Sequence, residues 1–162
     1  MCMWATCMVW NLCMTKINIK FDHTWHDHPL TLSGYIDDQQ LFYDQSGTRF
    51  DSDHTVNLND GPHTFRLIIE GKTNSNVLIE NDKTVKDTFI TMDTMVVDNI
   101  DLSKLMLLNA KFYPKHEDPK SQVLEKIVEL GYNGEYVFEL KTPLYLSLIH
   151  LSEPTRLATI AF

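Results

Sequence analysis

The chain has 162 residues, 43% of them hydrophobic, which is enough for one domain with a core and too little for two of ordinary size. Its formal net charge of −8 argues against a broad phosphate-neutralising surface, so nucleic acid is excluded as a partner and a neutral ligand or a divalent cation suits the chain better. No apolar run approaches the roughly 20 residues that cross a bilayer and no basic tract points to an anionic membrane, so the chain is expected to be soluble, with no membrane partner.

In chain order, residues 1–13 come first, uncharged and carrying all three cysteines and the tryptophans Trp4 and Trp10. They fit neither a secretory nor a lipoprotein signal. Met14 opens the strictly alternating TKINIKF, so the domain is expected to start there, with 1–13 as upstream sequence translated in frame; the alternative is a short apolar N-terminal strand or anchor. Without those residues the domain holds no cysteine, and neither disulfides nor thiolate metal sites enter the reading.

Short alternating segments follow. Residues 16–21 put Ile17, Ile19 and Phe21 on one face, 30–36 form a second strand, and 40–43 follow a turn at Asp37 and Asp38. Asn59-Asp60-Gly61 between 55–58 and 63–70 reads as a hairpin turn. Residues 77–80 lead through Asn81-Asp82-Lys83 to the longest strand candidate, 87–98, apolar on both parities apart from Asp93, which predicts a central strand buried on two sides. Asp93 must then reach the rim or be paired, since an unpaired buried carboxylate costs several kcal/mol, a rough figure.

Residues 110–113 and 135–141 are further strands. Helical spacing occurs in Val123, Leu124, Ile127, Val128 and Leu130, after a start at Asp118-Pro119 and before Gly131, and a shorter helix or turn is expected after Asp101. About eight to ten short strands with close turn signals predict an all-β fold, an antiparallel, jelly-roll-like β-sandwich with one short C-terminal helix, over residues 14–145.

The densest polar cluster is His23-Thr24-Trp25-His26-Asp27-His28. His26 and His28 share a parity, as paired metal ligands do, but no carboxylate follows at the spacing such a site needs, so a loop of solvated histidines is the simpler reading. Trp25 offers a flat apolar face to a sugar ring, the alternative being core packing, and with Asp93 it forms the candidate ligand site. Oxygen ligands gathered from loops suit Ca²⁺, which makes Asp82, Asp87 and Asp98 candidate metal ligands, with a plain acidic surface as the alternative. The sequence has no nucleophile elbow and no phosphate loop, and the chain is read as a non-enzyme.

The run Asn59 to Leu67, with its Gly61-Pro62-His63-Thr64, and the later Asp87-Thr88-Phe89-Ile90 through Val96-Val97-Asp98-Asn99-Ile100 resemble the late strands of calcium-dependent carbohydrate-binding modules of the xylan-binding type. Lys86-Asp87-Thr88, Ile100-Asp101-Leu102, Phe112-Tyr113-Pro114, Gly131-Tyr132-Asn133-Gly134 and Pro143-Leu144-Tyr145 resemble small β-sandwich proteins of tailed phages. Residues 146–156, LSLIHLSEPTR, resemble a translated sequencing adapter, LSLIHISEPTR, departing from it only at Leu151, so 146–162 is expected to be an adapter-derived tail.

These resemblances imply a phage-encoded module, on a virion or in the host cytoplasm, that binds a carbohydrate such as a host-surface glycan with Ca²⁺ as cofactor. The alternative is a structural or assembly protein held by contacts with other virion proteins. A groove lined by Trp25 or by tyrosines favours the first, and a flat apolar patch the second.

Overall fold

The computed structural model describes residues 13–25, 27–115 and 122–144. The expectations for residues 1–12, His26, the helix start at 118–119 and the tail from 146 lie outside the described residues. The elements are β1 (Cys13–His23), β2 (Thr31–Ile36), β3 (Gln39–Asp44), β4 (Phe50–Leu58), β5 (Gly61–Glu70), a single 3₁₀ turn (Asn74–Asn76), β6 (Val77–Glu80), β7 (Lys83–Asp87), β8 (Ile90–Val97), β9 (Ile100–Asp101), α1 (Ser103–Asn109), β10 (Lys111–Pro114), β11 (Leu124–Glu125), β12 (Glu129–Leu130) and β13 (Gly134–Thr142). One sheet runs β12-β8-β1-β4, with β9 also on β8; the second runs β11-β10-β13-β5-β2-β3; β6 and β7 form a separate hairpin. The expected antiparallel β-sandwich is present, and among the described residues no helix is long and apolar enough to cross a membrane.

Alternation builds the core. Ile17, Ile19 and Phe21 of β1, Phe65, Leu67 and Ile69 of β5, and Tyr136, Phe138 and Leu140 of β13 face inward and are buried. Phe21 stacks on Phe50 at 4.5 Å, and both meet Phe42 of the opposite sheet at 5.5 and 4.6 Å, so this trio joins the sheets beside the edge strands β3 and β4. A Cβ at Gly34 would lie 2.2 Å from the Phe42 ring, so the close approach there requires glycine.

Three expectations are corrected. Asn59 and Asp60 do not close a hairpin: β4 pairs with β1 and β5 with β13 and β2, so the turn carries the chain from one sheet to the other. Residues 123–130 are not helical. Leu124 joins the sheet of Phe112 and Leu130 that of Ile90, with Lys126 at φ 58° between them, so apolar residues that dock on two different sheets mimic a helical stripe. The helix after Asp101 does form, as α1, with the Asp101 carboxylate accepting the Ser103 N–H and Leu102 and Met106 buried.

The 87–98 strand is the third. It is broken at Thr88, whose N–H donates to the Asn76 carbonyl, and Lys83–Asp87 pairs back on β6 instead. Within β8 the register against β1 shifts between Lys20 and Phe21: Lys20 opposes Thr94 and Phe21 opposes Met92, leaving Asp93 as the extra residue of a β-bulge. Ile90 and Met92 before it, and Met95 and Val97 after it, therefore face the same core although their parities differ. The doubled apolar parity marks a bulge rather than burial on two sides.

A polar latch closes one end of the sandwich. His63 Nδ1 lies 2.7 Å from Asp37 Oδ2 in the β2–β3 turn, and its Nε2 donates to the Asn59 carbonyl at 2.7 Å, a carbonyl that also accepts the Thr142 hydroxyl at 2.6 Å. Asp37 further accepts the Thr64 N–H at 2.9 Å. Partial burial alone would raise the Asp37 carboxyl, but the Thr64 N–H, the His63 contact and charge, and Arg66 outweigh it and hold it below its ordinary value.

Phe21→Ala is expected to lower unfolding free energy by about 3–5 kcal/mol, read by urea denaturation with an unchanged slope. Because the folded-state value of Asp37 is depressed, its stabilisation is complete above the ordinary carboxylate value of 3.8 and is lost as pH falls through the folded value. Asp37→Asn, a residue that tolerates the φ of 51° there, should flatten the fall of melting temperature with acidification below about pH 4.

Candidate functional site

The structure does not bring the sequence-predicted residues into one place. Trp25 follows β1 and is half-buried; its indole N–H donates to Asp27 at 3.0 Å, His28 meets it edge-on at 5.0 Å, and the Lys86 ammonium lies 5.5 Å from its ring. Asp93 stands exposed in the β8 bulge, where Arg49 Nη2 donates to it at 2.7 Å, as the requirement for a paired or rim carboxylate demanded. Thr24 bonds the backbone of Phe89, and roughly 13 Å of strand separate that point from Asp93, so the two residues do not form one platform.

The candidate metal ligands are likewise dispersed. Asp82 sits at the tip of the β6–β7 hairpin at φ 60°, roughly 16 Å of strand from Asp87, whose carboxylate is held by Lys72. Asp98 lies beyond the far end of β8, accepting the Lys16 N–H at 2.8 Å. Among the described residues no group of three His, Cys, Asp or Glu side chains is placed to hold a metal ion, so these residues do not fit a shared Ca²⁺. His23 departs from the reading of a solvated loop: it ends β1 facing the core, buried, with Nε2 3.8 Å from Asp44.

Two arrangements that sequence reasoning missed place a hydroxyl beside an imidazole. In the latch, the Thr142 hydroxyl directs its hydrogen to the Asn59 carbonyl and His63 Nε2 is itself a donor there, so Nε2 is not a base for that oxygen. Ser52 Oγ and His54 Nε2 lie 2.6 Å apart on β4, with the His54 ring stacked on Phe42 at 5.9 Å and burial holding the imidazole below its ordinary value. The latch ties β5 to β13, whereas the Ser52–His54 pair lies within β4, with the His54 ring against Phe42 of the opposite sheet.

The outer face of the six-stranded sheet carries a different constellation. Register places Tyr43, Ser33, Ile68, Glu135 and Tyr113 in one row across β3, β2, β5, β13 and β10, since Ser33 opposes both Tyr43 and Ile68, and Glu135 opposes both Ile68 and Tyr113. Their inward neighbours Leu32, Phe42, Leu67, Ile69, Phe112 and Tyr136 are core, so parity sends the row outward. Tyr43 and Tyr113 are 57% and 43% exposed at its ends, and the Tyr43 hydroxyl is hydrogen-bonded by Gln45.

Beside Tyr113 lies a shallow depression of about 420 Å³ lined by Ile68, Glu70, Lys115, Gly134 and Glu135. Asn133 fixes its rim by accepting the Lys72 N–H at 2.7 Å and donating to the Lys72 carbonyl at 3.0 Å. Two of the cations on this face are matched. Arg66 lies 3.5 Å from Glu135, donates to the Asp37 carbonyl and sits 5.5 Å from the Tyr35 ring, while Lys115 lies 3.6 Å from Glu70. Aromatic faces alternating with hydrogen-bonding carboxylates and hydroxyls can hold a ligand with apolar faces and a polar edge. Alternation shows each of these residues facing outward; their alignment needs the strand order, which the sequence does not display.

No family model matches the chain, and no curated protein matches it. Among solved structures, the chain is similar to one described as "vCBM60 in complex with galactobiose", at 10% sequence identity and a TM-score of 0.49, covering 77% of this chain and 99% of that one. The assignment to the β-sandwich class rests on the strands and pairings of the chain itself.

Proposed function

We propose that the chain is a non-enzymatic carbohydrate-binding β-sandwich module that takes its glycan on the outer face of the six-stranded sheet. The observation that carries this is the row from Tyr43 to Tyr113, two exposed rings with Ser33 and Glu135 between them and a depression at the Tyr113 end. A pyranose presents C–H groups on its faces and hydroxyls around its edge. Tyr113 packs against the first, and Glu135, Glu70 and Lys115 bond the second. On the resemblance to tailed-phage sandwich proteins we extend the reading to a glycan of the host surface, met by a phage-encoded protein. The calcium dependence implied by the resemblance becomes an arm of the test.

A second reading, a structural protein of an assembly, draws on the β6–β7 hairpin. Ile79 and Val85 are 62% and 51% exposed there, and a two-stranded hairpin is marginal by itself, so a partner chain covering those side chains would stabilise it.

A glycan array probed with the full chain, with Ca²⁺ and with EDTA, separates the readings. Binding is expected, and Tyr113→Ala should weaken it by about tenfold or more with melting temperature held, since truncating an aromatic anchor removes over 1 kcal/mol. A chain that binds no glycan in either buffer is left with the assembly reading, and a loss of binding in EDTA alone supports the calcium expectation.

A further inference from the structure

A recess of about 160 Å³ lies between α1, the bulge of β8 and the segment that crosses from β11 to β12, with Tyr136 of β13 among its walls. We infer that it is a binding site for one small, uncharged aromatic alcohol of the phenol class, its ring held among thioether and aliphatic side chains and its hydroxyl on Tyr136. Size sets the first limit. An apolar cavity of about 150 Å³ takes up benzene, so this recess has room for a single six-membered ring. Met92 and Met106 bring sulfur atoms that pack well on ring edges, and Ile127 and Val128 add apolar surface. Tyr136 faces the core side of β13 while Glu135 and the tyrosine row stand on its outer side, so the recess is separate from the proposed glycan face.

Hydrogen bonding sets the second limit. Of the polar groups around the recess, Asp93 is held by Arg49, Ser103 accepts the Met95 N–H and donates to Asp101, and Lys104 is exposed. Tyr136 differs. It is 3% exposed, and its hydroxyl reaches the Met106 carbonyl only at 3.5 Å, the outer limit of a hydrogen bond, where that carbonyl already accepts the Ala110 N–H at 2.8 Å. A hydroxyl oxygen also carries acceptor lone pairs, and burial, which pushes Tyr136 up to about 12, keeps it neutral with those lone pairs open to a donor. A ligand hydroxyl donating to that oxygen completes the bonding of a buried polar group. An ammonium or carboxylate beside Tyr136 would instead be stripped of water against sulfur and alkyl groups, which restricts the ligand to neutral molecules.

The test is titration of the full, nitrogen-15 labelled chain with phenol and, separately, with benzene, followed by amide chemical shifts. Phenol is expected to saturate with a Kd of about 1 mM or below, moving Met106, Leu107, Ile127 and Val128, and to bind about fivefold more tightly than benzene. Without a polar partner in the recess the order would be the reverse, because phenol loses more hydration on entering an apolar cavity. In Tyr136→Phe, which removes one oxygen, the preference for phenol should vanish while benzene binds as before. The preference and the shift map are read on the unaltered chain, so they decide the matter even if the variant does not fold. Shifts that spare these four residues, benzene binding as tightly as phenol because a water already satisfies Tyr136, or a phenol preference that survives Tyr136→Phe would each overturn the inference.

Discussion

Between β5 and β13 the chain pairs from Gly134 with Ile69 to Thr142 with Gly61 without a shift of register, and the rest of the six-stranded sheet is fixed by that ladder. A side-chain period of two leaves no freedom: if Phe65, Leu67 and Ile69 are to meet Tyr136, Phe138 and Leu140 in the core, then Arg66, Ile68 and Glu135 must stand outside. A slip of one residue would bury an arginine and several carboxylates and expose six large apolar side chains. The register that makes the core thus also makes the outer face, and β2 and β10 extend both by pairing on either side of it.

The opposite sheet solves its pairing differently. β1 runs against β4 without interruption, yet against β8 it passes the bulge at Asp93, which lets residues of both parities reach the interior. The bulged carboxylate is left at the surface with Arg49, where an exposed pair contributes little to stability and avoids the larger cost of a buried charge. On that sheet's outer face, Asn18 donates to Asp51 and Asp53 at 3.1 and 2.9 Å and Lys20 reaches Asp51 at 2.8 Å, so its polar groups bond one another. The tyrosine row across the other sheet keeps two aromatic rings open to solvent.

Strand identity was largely legible in the sequence because it depends on local alternation: residues 16–21, 63–70 and 135–141 each fall within a strand of the fold, and 30–36 matches β2 except for Leu30. What needed tertiary information was not. Asn59-Asp60-Gly61 has hairpin chemistry, but whether its flanking strands pair with each other or with distant partners is set by which sheet can bury Val56 and Phe65. Residues 123–130 show helical spacing because Leu124 and Leu130 dock on different sheets. Of the candidate site, the need to pair or expose Asp93 followed from the cost of burying a charge. The grouping of Asp82 with Asp87 and Asp98 treated closeness in sequence as closeness in space along strands that hold these residues apart, while the grouping of Trp25 with Asp93, distant in the chain, rested on their chemistry and needed a strand order that the sequence does not display. Tyr43 lies in no motif, and Phe112-Tyr113-Pro114 assigns Tyr113 no ligand; the alignment of the two exists only through the order β3-β2-β5-β13-β10.

The central claim is the location of the ligand, and amide chemical shifts report location directly. In a nitrogen-15 labelled chain titrated with a glycan that it binds, the account predicts that shifts concentrate at Tyr43, Ser33, Ile68, Glu135 and Tyr113, with the β6–β7 hairpin and the loop around Trp25 unmoved. Shifts confined to Trp25, Lys86 and the hairpin, with the tyrosine row silent, would contradict it.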